Sequence, residues 1–524
     1  MQPFLAPLLA PVPLLLAGAV GFLDRGVRPR LAPVLAEIAA ALGMLAALAA
    51  IAGLVLFGGD ESPVIGLGGV GLCLRLDAVS ATMLLLVMFV GWVVARYART
   101  YLDGETRQGA FTGWFCLTLV SVALLATAGN LFQLVLAWIG TSLFLHRLLL
   151  FYPQRIAARR AGRKKFITAR LGDGALLGAA ALMFAAYGTA DIGAILAAAR
   201  SGAGGGLAIS AAGLLAVAAV LKSAQFPAHG WLTEVMETPT PVSALLHAGV
   251  INAGGFLLIR FADVMLLAPG VLAALVMLGG FTALFGSLVM LTQPAVKTSL
   301  AWSTVAQMGF MIFECGLALF PLALLHIVAH SLYKAHSFLA SGGAVERVAS
   351  IRRPGPVAIP RAGAVARAFL SALAIYVVVG AGFGFAHKSP QAIALGAILI
   401  FGVAYMLAQG FADAAPRALT RRTAVYALAT SVSYFALQRI VTWITADVLP
   451  AAPNPGPLQW ALIAMAVASF GFVAIVQATF PLWAFHPAAA GLRVHLSNGL
   501  YANAIFDRLI GGWTLRRASQ SARS

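Results

Sequence analysis

The chain has 524 residues, of which 61% are hydrophobic and only 10% are charged, and its mean hydropathy is +0.92. This composition is far more apolar than that of a soluble globular protein and excludes that class. The formal net charge of +18 raises the question of a nucleic-acid partner. However, the basic residues are spread over several segments without interleaved aromatic side chains or a recognisable binding fold. The sequence therefore predicts a polytopic membrane protein that does not bind nucleic acid.

Long apolar segments recur along the whole chain, and each is near the roughly 20 residues that a bilayer-spanning helix requires. They do not alternate polar and apolar residues as transmembrane strands do. We therefore predict an all-α bundle of about fifteen transmembrane helices. The predicted spans are 3–23, 31–57, 76–95, 111–128, 130–151, 166–187, 208–232, 240–262, 267–291, 295–317, 320–343, 364–386, 391–411, 422–445 and 458–485.

Lysine and arginine are concentrated in the connections that follow odd-numbered spans. The segment 155–165 is the richest of these, whereas 446–457, which follows an even-numbered span, has neither residue. The positive-inside rule then predicts an inner-membrane protein with its N-terminus outside and its C-terminus in the cytoplasm. We expect the compact basic cluster at 155–165 to contact anionic lipid or a cytoplasmic partner.

Motifs for several kinds of chemistry are missing from the sequence. There is no P-loop or dinucleotide fingerprint. The three cysteines, Cys73, Cys116 and Cys315, are isolated and lack metal-ligand spacing. The sequence thus predicts no metal site and no cofactor, and any energy coupling must use an ion gradient or a partner.

Ionisable residues inside apolar segments point to the function, because each costs about 2.5–3.5 kcal/mol at a helix centre. Lys222 lies within the seventh span, and Pro227 breaks the helix shortly afterwards. Glu234, Glu237 and His247 follow. A buried lysine that faces a carboxylate and a histidine is suited to proton transfer, so we interpret this group as a relay rather than as scaffold.

A second group lies on one predicted helix, in "LLHIVAHSLYKAHSFLASGG". His326, His330 and Lys334 recur every four residues, which places them on one face of the helix, whereas His336 lies off that face. Three titratable groups in register favour ion conduction over a structural role.

Three further charged residues carry weaker signals. Asp77 and Asp173 each begin or interrupt an apolar segment, and each could cap a helix or belong to the pathway. Lys297 lies near the cytoplasmic end of its span, where its side chain is expected to extend to the membrane interface.

These segments carry a resemblance over about residues 70–345. "LKSAQFPAHGWLTEVMETPTPVSALLHAG", "VKTSLAWSTVAQMGFM" and the histidine-containing helix resemble the antiporter-like subunits of respiratory complex I and of Mrp sodium/proton antiporters. The resemblance implies two inverted repeats of five helices, each with a discontinuous helix that carries a central lysine. It assigns Lys222 as the first lysine, His247 with the His326, His330 and Lys334 set as the central relay, and Lys388 as a candidate second lysine. The repeats are expected at 111–263 and 264–412, between N-terminal helices at 1–110 and C-terminal helices with a tail at 413–524.

One position departs from that pattern. The resembling subunits usually have a glutamate in the fifth helix, opposite the first lysine, but this chain has Ile139 there, in "VLAWIGTSLFLHRLLLFYPQR". Together with "ARRAGRKKFITARLGD" and "FGFAHKSPQAIA", this segment resembles the DabB subunits of DAB inorganic-carbon transporters.

The resemblance to DabB subunits implies a large cytoplasmic partner, DabA, which resembles a β-type carbonic anhydrase and holds zinc. This chain would then conduct H⁺ or Na⁺ and supply no enzyme chemistry itself. A subunit of an Mrp-type antiporter or of a complex I-like oxidoreductase is the alternative, and a stand-alone ion channel or a structural membrane anchor is a third.

Overall fold

The computed structural model describes residues 9–24, 26–67, 70–343, 361–411, 416–483 and 486–509. These residues form an α-helical bundle, as predicted. The helices of its first half are α1 (Pro11–Leu23), α2 (Leu31–Phe57), α3 (Ala78–Tyr101), α4 (Gln108–Ala126), α5 (Leu131–Leu149), α6 (Ile156–Tyr187), α7 (Ile192–Arg200), α8 (Gly205–Lys222), α9 (Gly230–Thr233), α10 (Thr240–Ala248), α11 (Ala253–Arg260) and α12 (Ala262–Leu266).

The second half continues in the same way. Its helices are α13 (Pro269–Met290), α14 (Val296–Gly316), α15 (Phe320–Ala340), α16 (Ala362–Gly382), α17 (Pro390–Gly410), α18 (Arg417–Ile444), α19 (Pro457–Ala478), α20 (Phe480–Trp483), α21 (Ala490–Ser497) and α22 (Ala502–Leu509).

Every predicted span corresponds to a helical segment of this bundle. Among the described residues, 12 helices are long and apolar enough to cross a membrane, with Thr240–Arg260 counted as one. The other three predicted spans are α1, whose predicted first residues 3–8 lie outside the described part of the chain, and α14 and α15, which carry several polar side chains.

Two short β-hairpins depart from the all-α prediction. Asp60–Glu61 (β1) pairs antiparallel with Arg75–Leu76 (β4), and Ile65–Leu67 (β2) pairs with Val70–Leu72 (β3). Strands of two or three residues are too short to produce a recognisable alternation in the sequence. They fold the connection between α2 and α3 over one end of the bundle, called here the hairpin end.

The opposite end, called here the basic end, is held together by polar contacts between connections. Arg28 Nε lies 3.3 Å from Asp103 Oδ1. Tyr152 donates a hydrogen bond of 2.9 Å to Glu105 Oε1, and Arg107 donates to the Phe151 carbonyl. These contacts join three connections that the alternation of spans places at the same end.

α6 begins ten residues earlier than predicted, at Ile156. The expected loop at 155–165 is therefore mostly helix. Lys164 and Lys165 are buried, whereas Arg159 and Arg163 remain exposed. The expectation that the whole cluster contacts lipid or a partner is wrong for the two lysines, because their side chains turn into the bundle.

The chain is interrupted between α8 and α10, as Pro227 predicts. α8 ends at Lys222, and residues 223–239 contain only the short α9 and one 3₁₀ turn. Ala224 has a φ of 49°, a left-handed conformation that is costly for a residue with a Cβ and that clusters at functional sites. Thr240 and Pro241 then begin α10, with the proline in its first turn.

Candidate functional site

Lys222 ends α8 with its ammonium nitrogen buried and, among the described residues, without a hydrogen-bond partner. The nitrogen lies 4.4 Å from the centre of the Trp138 ring. A cation over an indole face is stabilised by the ring quadrupole, but such a contact does not neutralise the charge. Lys222 is thus a buried cation that requires a nearby carboxylate.

Asp173 is the carboxylate that interacts electrostatically with Lys222. It lies in the middle of α6 and is 5% exposed. Its Oδ2 is 2.5 Å from Nη2 of Arg170, one turn earlier. Asp173 is therefore not a helix cap, which was one of its two predicted roles. Asp77, in contrast, caps α3 by accepting a hydrogen bond of 2.8 Å from the Ser80 amide.

Lys165 is a buried cation that the sequence does not reveal, because it follows five other basic residues in a segment whose composition predicts a loop. Its Nζ donates to the backbone oxygen of Ser142 and lies 3.0 Å from the Ser142 hydroxyl. A cavity of about 20 Å³, also lined by Thr168 and Trp231, separates Lys165 from Lys222. This volume accommodates about one water molecule between residues that include both lysines.

Glu234 lies off this group. Its Oε1 is 2.5 Å from Nζ of the fully buried Lys164, whose ammonium is also 2.8 Å from Asp507 Oδ1 in α22. The structure therefore places Glu234 in an ion-pair network at the basic end. Glu237 ends the 3₁₀ turn Val235–Glu237, and its side chain lies outside the described residues.

His247 is fully buried on α10. Its Nδ1 lies 2.9 Å from the hydroxyl of Thr304, and its ring stacks on Phe338 at 4.3 Å. Its Nε2 has no partner among the described residues. His247 thus has one ring nitrogen held in place and the other available for proton exchange.

The predicted stripe on α15 points into the bundle. His330 Nε2 is 3.2 Å from the His247 carbonyl oxygen. Lys334 is fully buried and donates a hydrogen bond of 3.1 Å to the Leu300 carbonyl. His326 lies 5.9 Å from His330 between ring centres. His336 is exposed, so the division of the four titratable residues that the helical period predicted is confirmed.

Polar side chains lie between the lysine pair, Lys165 and Lys222, and the group formed by His247 and the α15 stripe. Asn252 donates a hydrogen bond of 2.9 Å to the Ser331 hydroxyl, next to His330. On the side of Lys222, the Ser223 hydroxyl donates a hydrogen bond of 3.3 Å to the Ile251 carbonyl. A set of buried polar groups, called here the polar axis, therefore extends from Lys165 and Lys222 through Asn252 and His247 to the α15 stripe.

Glu314 was not identified from the sequence. It is 3% exposed near the end of α14, and its Oε2 lies 2.8 Å from His326 Nδ1. The sequence signal is a lone acid near the end of the span, in "MIFECG". Its partner comes from another helix and is therefore not visible in the sequence.

Lys388 lies away from the α15 stripe in sequence and in contacts. It follows the 3₁₀ turn Phe385–His387 that connects α16 and α17, so it is between two spans rather than within a discontinuous one. Its Nζ donates a hydrogen bond of 2.7 Å to Gln438 Oε1 and lies 5.3 Å from the centre of the Phe435 ring. A role for Lys388 in conduction stays a prediction.

The hairpin end carries a separate charged group. Arg260 Nη1 is 2.5 Å and Arg75 Nε is 2.7 Å from Asp77 Oδ2, while Arg75 also contacts Glu61. Although burial favours the neutral acid, the two guanidinium groups hold the pKa of Asp77 well below its usual range. Burial and the neighbouring Asp191 outweigh Arg75 at Glu61 and raise its pKa from 4.5 to about 7.

In the described part of the chain, no group of three or more His, Cys, Asp or Glu side chains is arranged to hold a metal ion. A helix broken beside a buried lysine, together with a histidine stripe on a separate helix, points to an antiporter-like membrane subunit of the complex I and Mrp type. The family profile described as "NADH:quinone oxidoreductase/Mrp antiporter, TM" matches residues 128–354. That described as "NADH-Ubiquinone oxidoreductase (complex I), chain 5 N-terminus" matches residues 66–112.

Curated relatives place the chain more narrowly. It is 37% identical to the probable inorganic carbon transporter subunit DabB2 of Halothiobacillus neapolitanus over 449 residues, which cover 85% of this chain and 81% of that protein. It is 45% identical over 270 residues to the probable DabB subunit of Hydrogenovibrio crunogenus, covering 51% of this chain and 52% of that one. The chain belongs to the DabB family of inorganic-carbon transporter subunits.

The fold is also shared with solved structures. The structure of the Mrp complex from Dietzia sp. DQ12-45-1b contains a chain that matches with a TM-score of 0.62 and 24% identity, over 98% of this chain and 60% of that one. At this identity the similarity establishes the fold alone.

Proposed function

We propose that the chain is the cation-conducting membrane subunit of an energy-coupled complex that accumulates inorganic carbon as CO₂ or bicarbonate. The observation that carries this proposal is the polar axis, which joins Lys222, His247, His330 and Lys334 inside a subunit of the DabB family. Buried ionisable groups in register mark ion pathways. Lysine and histidine suit proton transfer, and Na⁺ is the second candidate ion.

The complex would contain a large cytoplasmic DabA-like partner that holds zinc and performs the hydration of CO₂. The cation gradient would act through this chain, which would supply conduction and no catalytic group. We place the basic end in the cytoplasm of a cell with the protein in its inner membrane, since the positive-inside rule assigns arginine-rich connections to that side. Membrane lipid would surround the apolar outer faces of the helices.

A second candidate is an ion-translocating subunit of an Mrp-type antiporter or a complex I-like NADH-quinone oxidoreductase. The family profile described as "NADH:quinone oxidoreductase/Mrp antiporter, TM", which matches residues 128–354, favours it. The two candidates differ in the partners they require.

Purification of the tagged chain in mild detergent, followed by mass spectrometry and zinc analysis, distinguishes them. We expect a large zinc-containing soluble protein to co-purify. Several other membrane subunits without zinc would instead support the Mrp or complex I candidate.

Conduction is tested with Lys222→Met and Lys334→Met, which keep most of the side-chain volume but remove the charge. We expect each variant to lose the ability to rescue growth of a CO₂-dependent strain. Each should still insert into the membrane and co-purify with the partner. Lys297→Met, near the end of its span, serves as the control and should have a mild effect. Normal growth with both buried-lysine variants would contradict the proposed pathway.

A further inference from the structure

Glu314, which the proposed relay does not include, lies with His326 at a cavity beside the α15 stripe. The cavity has a volume of about 630 Å³ and is formed by α13, α14, α15, α17, α18 and α19. Its size is that of an ordinary binding cleft. Both members of the pair line it, as does His330 of the polar axis.

The cavity extends along much of the bundle's depth. Ser287, Tyr405 and Gln477 line it within a few residues of the basic ends of α13, α17 and α19. Glu314 lies 18 residues after the basic end of α14 at Val296, which corresponds to about 27 Å of helix. The acid is thus at the far end of a space whose other end lies near the basic end.

The charges around this cavity are unbalanced. Its lining residues include Glu314 but no lysine or arginine. Within the described residues, the ion-pair partner of Glu314 is His326, which is charged only when protonated. A buried carboxylate without a permanent cation is costly, and a bound cation removes that cost.

Two other polar atoms in the lining lack partners among the described residues. These are Nε2 of His326 and the hydroxyl of Tyr434. Tyr434 is also within electrostatic range of Glu314. Oxygen and imidazole groups together can accept a proton or contribute to the coordination of a small cation.

We propose that Glu314 and His326 form a cation-binding site that exchanges its cation with the basic end through the cavity and with His330 on the polar axis. This inference rests on the proposed conduction function and adds a site and an access route to it. Glu314 then alternates between a cation-loaded state and a state paired with His326.

Access is tested on the purified full complex with dicyclohexylcarbodiimide, which modifies protonated carboxyl groups in apolar surroundings. We expect Glu314 to be labelled, as read by mass spectrometry of its peptide. Na⁺ that suppresses the labelling supports the site with Na⁺ as the ion, and labelling that Na⁺ leaves unchanged supports it with H⁺. An unlabelled Glu314 would overturn the proposed route.

Two glycines offer a matched pair of blocking variants. A Cβ added at Gly402 would meet no atom within 4 Å, and Gly402 lines the cavity. Gly213 of α8 has the same free space but does not line the cavity. Gly402→Phe should therefore reduce labelling of Glu314 at least fivefold, whereas Gly213→Phe should leave it unchanged. Equal labelling in both variants would contradict access through the cavity.

Conduction supplies the second readout, measured as cation flux into proteoliposomes. Glu314→Gln should reduce flux at least tenfold, and Glu314→Asp should retain part of it. If wild-type protein conducts and Glu314→Gln conducts equally well, the site is wrong but the proposed function stands. If Glu314 is labelled through the cavity but wild-type protein does not conduct, the proposed function fails and the access route stands.

Discussion

The neighbours of Lys222 show how this chain differs from subunits with a glutamate in the fifth helix. Ile139 cannot supply a charge, but Trp138 beside it covers the lysine nitrogen at 4.4 Å. Asp173 supplies the carboxylate from α6 instead, and it is also paired with Arg170 at 2.5 Å. An acid shared between two cations can shift between them as the lysine gains or loses a proton.

We expect Asp173→Asn to reduce cation flux about tenfold or more, because an opposite charge at close range changes a lysine's protonation equilibrium by that factor. Adding Ile139→Glu to this variant should restore part of the flux, since it returns the carboxylate from the fifth helix. Ile139→Gln in the same background is the control and should restore nothing. The measurement is flux into proteoliposomes at equal protein content.

Equal rescue by Gln and Glu at position 139 would show that polarity rather than charge is required. Full activity of Asp173→Asn would show that Lys222 does not depend on this acid.

At the scale of elements, the C-terminal helix α22 is tied to the broken segment between α8 and α10. Asp507 and Glu234 both contact Lys164. Asn503 donates a hydrogen bond of 3.2 Å to the Thr233 hydroxyl. The fully buried Lys164 ammonium therefore connects α6, the break and the end of the described chain. This network holds the break in place beneath the polar axis.

Two acids on one lysine predict coupled effects. Glu234→Gln or Asp507→Asn alone leaves one partner, so each should lower the melting temperature only modestly. The double variant leaves Lys164 buried and unpaired, a change that costs about 3–5 kcal/mol. Its loss of melting temperature in detergent should exceed the sum of the single losses. A purely additive result would show that the acids act independently.

The hairpins at the other end predict a pH dependence through Glu61. Its pKa of about 7 is above its ordinary value of 4.5, so the folded protein binds the proton more tightly than the unfolded chain. The stabilisation from this proton is complete below pH 4.5 and is lost as the pH rises towards 7. Glu61→Gln should flatten the decline of melting temperature across this range, whereas Asp60→Asn, at an exposed neighbour, should leave the decline unchanged.

The same decline in wild type and Glu61→Gln would contradict this assignment. Arg75 and Asp191 are the charged groups that act on Glu61, so Asp191→Asn should reduce the decline in part.

The elements also show what the sequence could predict. The length of the apolar segments located the 12 helices that are long and apolar enough to cross a membrane, because a bilayer-spanning helix needs about 20 predominantly apolar residues. The helical period identified His326, His330 and Lys334, since these residues share one helix. Glu314 and Lys165 were missed because their partners come from other helices, and a sequence without tertiary contacts does not show which buried charges meet.

At the scale of the whole molecule, the two ends of the bundle differ in how their charges are used. At the hairpin end, Asp77 and Glu61 are paired with arginines inside the protein. At the basic end, Arg159 and Arg163 are exposed one turn apart on α6, above the buried Lys164. The exposed pair leaves positive charge available for an external surface close to the polar axis.

This arrangement predicts that partner binding and conduction can be separated. If the proposed cytoplasmic partner binds here through an acidic surface, charge reversal in Arg159→Glu/Arg163→Glu should abolish its co-purification, because the new glutamates would repel that surface. Flux through the polar axis should persist, since neither arginine belongs to it.

Arg417→Glu/Arg421→Glu is the matched control, because these residues are also exposed and four positions apart, at the start of α18. If the arginines contact only anionic lipid, both double variants should retain the partner equally. Loss of the partner in the α6 variant alone would assign this surface to the contact with the proposed zinc-containing partner.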